Sequence, residues 1–143
     1  MTVPPGQQAR TVPGTTLDFG ASAVLPADAY RAEGATAMYT VTGITPGKDV
    51  PSAQTRGGTA YFVYVTVTSL AARPAPAPGV LGFAGSVDGR SAALTMPPST
   101  SLADCANPKP PETMRRGESY ATCLVAYADE GQKLRQVIYW ADT

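Results

Sequence analysis

Strand-like alternation recurs along this chain, and helical alternation does not. The strongest stretch is 60–70 (AYFVYVTVTSL). Tyr61, Val63, Val65 and Val67 fall on one face, and Phe62, Tyr64, Thr66 and Thr68 on the other. β-branched and aromatic residues at a period of two fit a pleated surface, so this segment is expected to be a central strand. Weaker signals precede it at 17–25 (LDFGASAVL), where Gly20 is a candidate bulge, and at 37–44 (AMYTVTGI). After it come 80–87 (VLGFAGSV), the dipeptide Asp88-Gly89 and then 91–96, which together read as a hairpin with a two-residue turn. The segments 120–128 (YATCLVAYA) and 134–140 (LRQVIYW) read as a last pair joined around Glu130-Gly131-Gln132. No segment has a helical apolar period of useful length, and no repeat occurs at solenoid spacing. About seven short strands separated by turn residues describe an all-β chain folded as an antiparallel β-sandwich.

Composition agrees. Gly 14 and Pro 14 suit an architecture rich in turns, and prolines cluster at 74–78, 97–98 and 108–111. A length of 143 residues with 43% hydrophobic content fits one domain with a substantial core. Residues 1–14 hold Pro4, Pro5, Pro13, Gly6 and Gly14 with little to bury, and read as a flexible N-terminal tether. Residues 15–143 are the expected domain.

Charge and chemistry narrow the function. Lys+Arg 11 balances Asp+Glu 11, so the chain as a whole has no electrostatic footprint for a nucleic-acid backbone. No apolar run approaches the roughly 20 residues that span a bilayer. His 0 removes Ser-His-Asp and Cys-His catalysis and every imidazole–metal site. The run Gly43-Ile44-Thr45-Pro46-Gly47-Lys48-Asp49 lacks the spacing and the hydroxyl of a phosphate loop. Gly85-Ser86-Val87-Asp88-Gly89 is not a nucleophile elbow. Carboxylates are the remaining acid/base candidates, but Asp28, Glu33, Asp49, Asp88, Asp104, Glu112, Glu118, Asp129, Glu130 and Asp142 are scattered over turns with no spacing that selects a pair. No enzyme activity, cofactor or metal is expected. There is also no Asn-x-Ser/Thr acceptor, since Asn107 precedes Pro108.

Cys105 and Cys123 are the only cysteines, too few for a structural zinc or iron–sulfur site. In an oxidising compartment they pair, and in a cytosol they are two buried thiols. A bridge closing a loop of this length would contribute about 3 kcal/mol in the chain-entropy picture. The chain shows no signal peptide, so Met1 reads either as a cytoplasmic start or as the replacement of a removed leader. The Arg-, Ala-, Pro- and Thr-rich composition favours the second.

Several ordered pieces resemble a known family. These are Leu17-Asp18-Phe19-Gly20 with Ala23-Val24 behind it, then Thr40-Val41-Thr42-Gly43-Ile44 followed by Pro46-Gly47-Lys48, then Tyr64-Val65-Thr66-Val67-Thr68. A C-terminal block follows, with Cys105, Gly117-Glu118-Ser119, Cys123-Leu124-Val125, Leu134, Val137, Tyr139 and Trp140. Together they are similar to actinobacterial secreted and surface lipoproteins with an immunoglobulin-like domain, related to the mycobacterial secreted immunoprotective antigens. The resemblance implies an immunoglobulin-like sandwich, a Cys105–Cys123 disulfide, and an extracytoplasmic chain that is released or tethered by an N-terminal lipid absent from this sequence. It implies no activity. The chain departs from the pattern at 71–78, where a Pro- and Ala-rich loop replaces a polar turn.

The expected function is that of a binding or interaction module for an envelope or extracellular protein. Sandwich scaffolds present contacts on loops, and proline-stiffened loops lose less entropy on binding. Loops 71–79 and 106–116 are therefore the expected contact regions, with Pro74, Pro76, Pro78, Lys109, Pro110, Arg115 and Arg116 as candidate binding residues. Three alternatives remain, one of them a structural subunit of a larger envelope assembly with no ligand of its own. A small apolar ligand or glycan could be carried at a tyrosine-rich face made by Tyr61, Phe62, Tyr64, Tyr127, Tyr139 and Trp140, although Trp140 also reads as a core anchor. A carboxylate-based hydrolase is the less favoured alternative.

Overall fold

A computed structural model describes residues 9–12, 14–31, 34–47, 59–96, 105, 107, 110–129 and 131–139. Nine strands occur among them: β1 (Ser22–Pro26), β2 (Thr36–Pro46), β3 (Thr59–Ser69), β4 (Ala75–Pro76), β5 (Phe83–Ser86), β6 (Leu94–Met96), β7 (Thr113–Met114), β8 (Ser119–Ala128) and β9 (Gln136–Tyr139). They form an antiparallel β-sandwich. One layer is a five-stranded sheet in the order β1-β2-β3-β8-β6, and the opposing layer is the β5-β9 pair. β4 and β7 make a separate two-stranded clip. Apart from that clip, seven strands remain, as the turn spacing predicts.

β3 is the central strand, and its two faces divide as the alternation predicts. Val63, Val65 and Val67 point between the layers, where they meet Ala37 and Tyr39 of β2, Leu124 and Ala126 of β8, Phe83 of β5 and Leu134. On the opposite face Ala60, Phe62 and Tyr64 gather with Val125 and Tyr127 around the cysteines. This sheet is therefore buried on both sides, which is why β3 and β8 read as almost continuously apolar. Burying the larger side chains here stabilises the fold by about 1.5–3 kcal/mol each before the cost of ordering them.

Cys105 and Cys123 form a disulfide with Cα atoms 5.3 Å apart. It holds the segment around residue 105 against the outer face. Asn107 completes the attachment. Its Oδ1 accepts the Cys123 N–H at 2.7 Å and the Thr122 hydroxyl at 2.7 Å. Its Nδ2 donates to the Cys123 carbonyl at 3.0 Å and to the Cys105 carbonyl at 3.2 Å. β6 pairs with β8 only opposite Val125, Ala126 and Tyr127. Beyond the end of β6, the Asn107 amide supplies the donor and acceptor that a strand residue would have given Cys123.

Two expected pairings form differently. The Asp88-Gly89 turn is present, with Gly89 at φ 78°, and the Asp88 carboxylate accepts the Arg90 and Ser91 N–H groups at 2.8 Å each. Its flanking strands do not pair with each other as a hairpin. β5 joins β9, whereas β6 crosses to β8. The two arms keep only isolated bonds, the Ala93 N–H donating to Gly85 O at 2.8 Å and the Gly85 N–H to the Thr95 hydroxyl at 3.0 Å. Gly85 itself lies so near Ala126 and Leu134 that a Cβ would stand 2.7 and 2.8 Å from their side-chain carbons. Likewise β8 and β9 are not a pair but lie in opposite layers, so the link around Gly131 crosses the sandwich. Gly20 is not a bulge. It sits at φ 93° in the turn that leads into β1, closed by the Ala21 N–H donating to Asp18 O. The register shift lies instead in β2, between Val41 and Gly43.

Within the expected tether, the Thr11 N–H donates to Val24 O and the Val24 N–H donates to the Thr11 hydroxyl, so this stretch runs along β1. Trp140 and Lys109 lie outside the described residues, as do the prolines at 97–98.

Gly85→Ala is expected to destabilise the protein by about 1–3 kcal/mol, because the added methyl overpacks the contact with Ala126 and Leu134. Urea denaturation would measure it. Asn107→Asp should cost at least about 2 kcal/mol, since a carboxylate cannot donate to the Cys105 and Cys123 carbonyls. The same unfolding curve, compared with Asn107→Gln, checks the directional argument.

Candidate functional site

The antiparallel register brings three connections to one end of the sandwich. Pro26 lies opposite Thr36, Ala37 opposite Ser69, and Thr68 opposite Ser119. The loop 27–35, the long connection 70–82 and the turn 115–118 therefore share that end.

Three tyrosines, Tyr39 buried and Tyr120 and Tyr139 half-buried, fix the first two loops in place. Tyr39 of β2 donates its hydroxyl to Gly79 O at 2.7 Å and lies 3.5 Å from Ala27 O. Tyr139 of β9 donates to Pro26 O at 2.9 Å, and Tyr120 of β8 donates to Pro78 O. The Gly79 N–H donates to Ala27 O at 3.1 Å, which joins the two loops directly. Beneath them Tyr39, Phe83 and Tyr139 pack as a tilted cluster, with Phe83 5.0 Å from each tyrosine ring centroid. The rings supply buried apolar area while each hydroxyl must find an acceptor, and loop carbonyls are the acceptors within reach.

The same environment resists ionisation. Burial, with smaller contributions from Tyr139, Tyr120 and Asp28, pushes the Tyr39 phenol far above its ordinary value. Burial pushes Tyr120 up to about 12. Tyr139 is raised by burial and by Asp28, with Arg10 opposing.

The third connection is a β-turn, Arg115-Arg116-Gly117-Glu118, closed by the Glu118 N–H donating to Arg115 O at 3.0 Å. Gly117 has φ 88°, which a side chain rarely adopts. The turn docks on the end of β3 through the Gly117 N–H to Ser69 O and the Ser69 N–H to Glu118 O. The Arg116 guanidinium donates to Leu70 O at 3.2 Å.

The two loops singled out from the sequence meet here. β4 lies in the first and β7 in the second, and they pair with Ala75 opposite Met114 and Pro76 opposite Thr113. Met114 is buried under this clip. Pro74, Pro76, Pro110 and Arg115 are exposed, and Arg116 is half-buried. Pro78 is buried and acts as an anchor for the loop, through its carbonyl to Tyr120. The sequence reading missed the contribution of 27–35 and the tip of 80–82. Tyr30 and Leu81 are each 61% exposed there. Residues 80–82 read as the start of a strand, which begins only at Phe83, and 27–35 has no periodicity, motif or proline cluster to draw attention.

The aromatic residues expected to make one ligand face are divided. Tyr61 and Tyr139 pack between the layers, whereas Phe62, Tyr64 and Tyr127 pack on the outer face near the disulfide. Three of the six described carboxylates serve their own turns. Asp28 accepts the Tyr30 N–H at 2.9 Å, and Glu118 accepts the Arg115 N–H. The Asp88 carboxyl is held below its ordinary value, chiefly by the Ser91 and Arg90 N–H groups. No family profile, curated protein or solved structure matches the chain.

Alkaline pH should loosen this end. The unfolded tyrosines ionise near pH 10, whereas folded Tyr120 holds its proton to about pH 12. The resulting stability is full below pH 10 and is lost as the pH rises through the folded value. Urea midpoints across that window should fall, and Tyr120→Phe should fall less steeply while starting about 1 kcal/mol lower at neutral pH.

Proposed function

We propose that this protein is an extracytoplasmic binding module, secreted or held at the cell surface, that captures an envelope or extracellular protein through the loop end of its sandwich. One observation carries the reading. The loops at 71–79 and 106–116, stiffened by proline, are hydrogen-bonded to each other through β4 and β7 and fastened to the scaffold through Tyr39, Tyr120 and Arg116. A surface held in this way gives up little conformational entropy when a partner docks, so its contacts convert more fully into affinity. Pro74, Pro76, Pro110 and Arg115 are the exposed candidates on it.

The disulfide supports the compartment, since such bonds persist where thiols oxidise. The resemblance to the actinobacterial immunoglobulin-like lipoproteins supports the compartment, and it rests on the sequence pieces alone. The protein takes no cofactor in this reading and performs no catalysis.

Tagged protein crosslinked on the intact envelope of the producing organism tests the proposal. A saturable protein partner is expected. Replacing Pro74, Pro110 and Arg115 together by serine should abolish its capture with the melting temperature unchanged. Capture that is the same with wild type and with this variant would rule the loop end out.

A further inference from the structure

The chain is neutral as a whole, but its charge is unevenly placed. Among the described residues, Arg10, Arg31, Arg73, Arg115 and Arg116 belong to the loop end. Arg10 reaches it by donating to Gly34 O at 2.6 Å. Among these described residues Asp28, Glu112 and Glu118 oppose them there. Elsewhere among the described residues Asp18, Asp88 and Asp129 balance Arg90, Lys133 and Arg135. The cationic excess of the described residues therefore lies at the loop end. Arg31, Arg73 and Arg115 are exposed on the three separate connections. Two of these connections, whose backbones are joined through Gly79 and Ala27, carry Tyr30 and Leu81, both well exposed.

We infer that this end docks an acidic segment of a partner protein, seating one of its apolar side chains against Tyr30 and Leu81 while Arg31, Arg73 and Arg115 meet its carboxylates. The inference rests on the loop end being the contact surface and adds the chemistry of what it contacts. A guanidinium presents a planar fork that matches a carboxylate through two parallel hydrogen bonds. Tyrosine and arginine are also the residues that most often dominate binding energy at protein interfaces. An anionic bilayer fits less well. Asp28, Glu112 and Glu118 stand among the arginines and would face its headgroups. Tyr30 and Leu81 sit on separate loops rather than on one amphipathic stretch that could enter the interface.

Panning the intact chain against a displayed library of random peptides tests this. The triple-serine variant described above serves as the control, and phosphatidylglycerol vesicles as a parallel probe. Enriched peptides are expected to carry Asp or Glu around a Leu, Phe or Trp. Made as free peptides, they should bind more weakly as salt rises. Arg31→Glu with Arg73→Glu, and separately Leu81→Ser, should each weaken binding about tenfold or more at unchanged melting temperature. Peptides lost in the control but without acidic bias would overturn the inference and leave the contact surface standing. Peptides that bind wild type and control alike would overturn both. Failure of any peptide to enrich, or binding to the vesicles alone, would overturn the inference.

Discussion

A buried phenol brings a large apolar ring and one polar atom that must be satisfied at its far end. That requirement sets the geometry of the loop end of this protein. Tyr39, Tyr120 and Tyr139 rise from β2, β8 and β9, and their hydroxyls reach the carbonyls of Gly79, Pro78 and Pro26. The loops are thus measured from the sheets by the length of a tyrosine side chain. Because Tyr139 comes from the opposing layer, the same bonds also tie that layer to the end of β1. Proline suits such a loop twice over. It fixes the backbone at Pro74, Pro76 and Pro78, and its carbonyl remains available to accept a hydroxyl.

The opposite face of the large sheet is closed by different means. There the disulfide and the Asn107 amide hold a covering segment on Phe62, Tyr64 and Val125. A sheet covered on both faces leaves its edges as the places where another chain could add. On β1 the outward groups of Val24 are taken by Thr11, and the Pro26 carbonyl by Tyr139. Blocking these positions discourages edge-to-edge association along β1.

How much of this was legible in the sequence depended on whether the signal was local. The faces of β3 follow directly from alternation. Strand partners do not, since a period of two says which side a residue takes and nothing about which strand lies beside it. The chain bends at Asp88-Gly89, yet the two-residue hairpin expected there does not form, since β5 pairs with β9 and β6 with β8. Proline content pointed to the two loops, but their pairing through β4 and β7 depends on residues far apart in sequence. Asn107 was seen only as a residue before proline. Its bonds to Cys105, Thr122 and Cys123 exist only once the fold brings the two segments together.

The crossings between layers also shape how the molecule reaches its native state. Only β1 with β2 and β2 with β3 are neighbours both in sequence and in the sheet; β3 waits for β8, β5 for β9, and β6 for β8. Loop-closure entropy must be met before those distant pairings return any energy, which places such topologies among the slow-folding small domains. A chain emerging from its N-terminus can build the β1-β2-β3 meander and no more, with the second edge of β3 open until residue 119 and beyond have followed. β8 is therefore the closing piece, and it carries Cys123, so oxidation and completion of the sheet become a single late event.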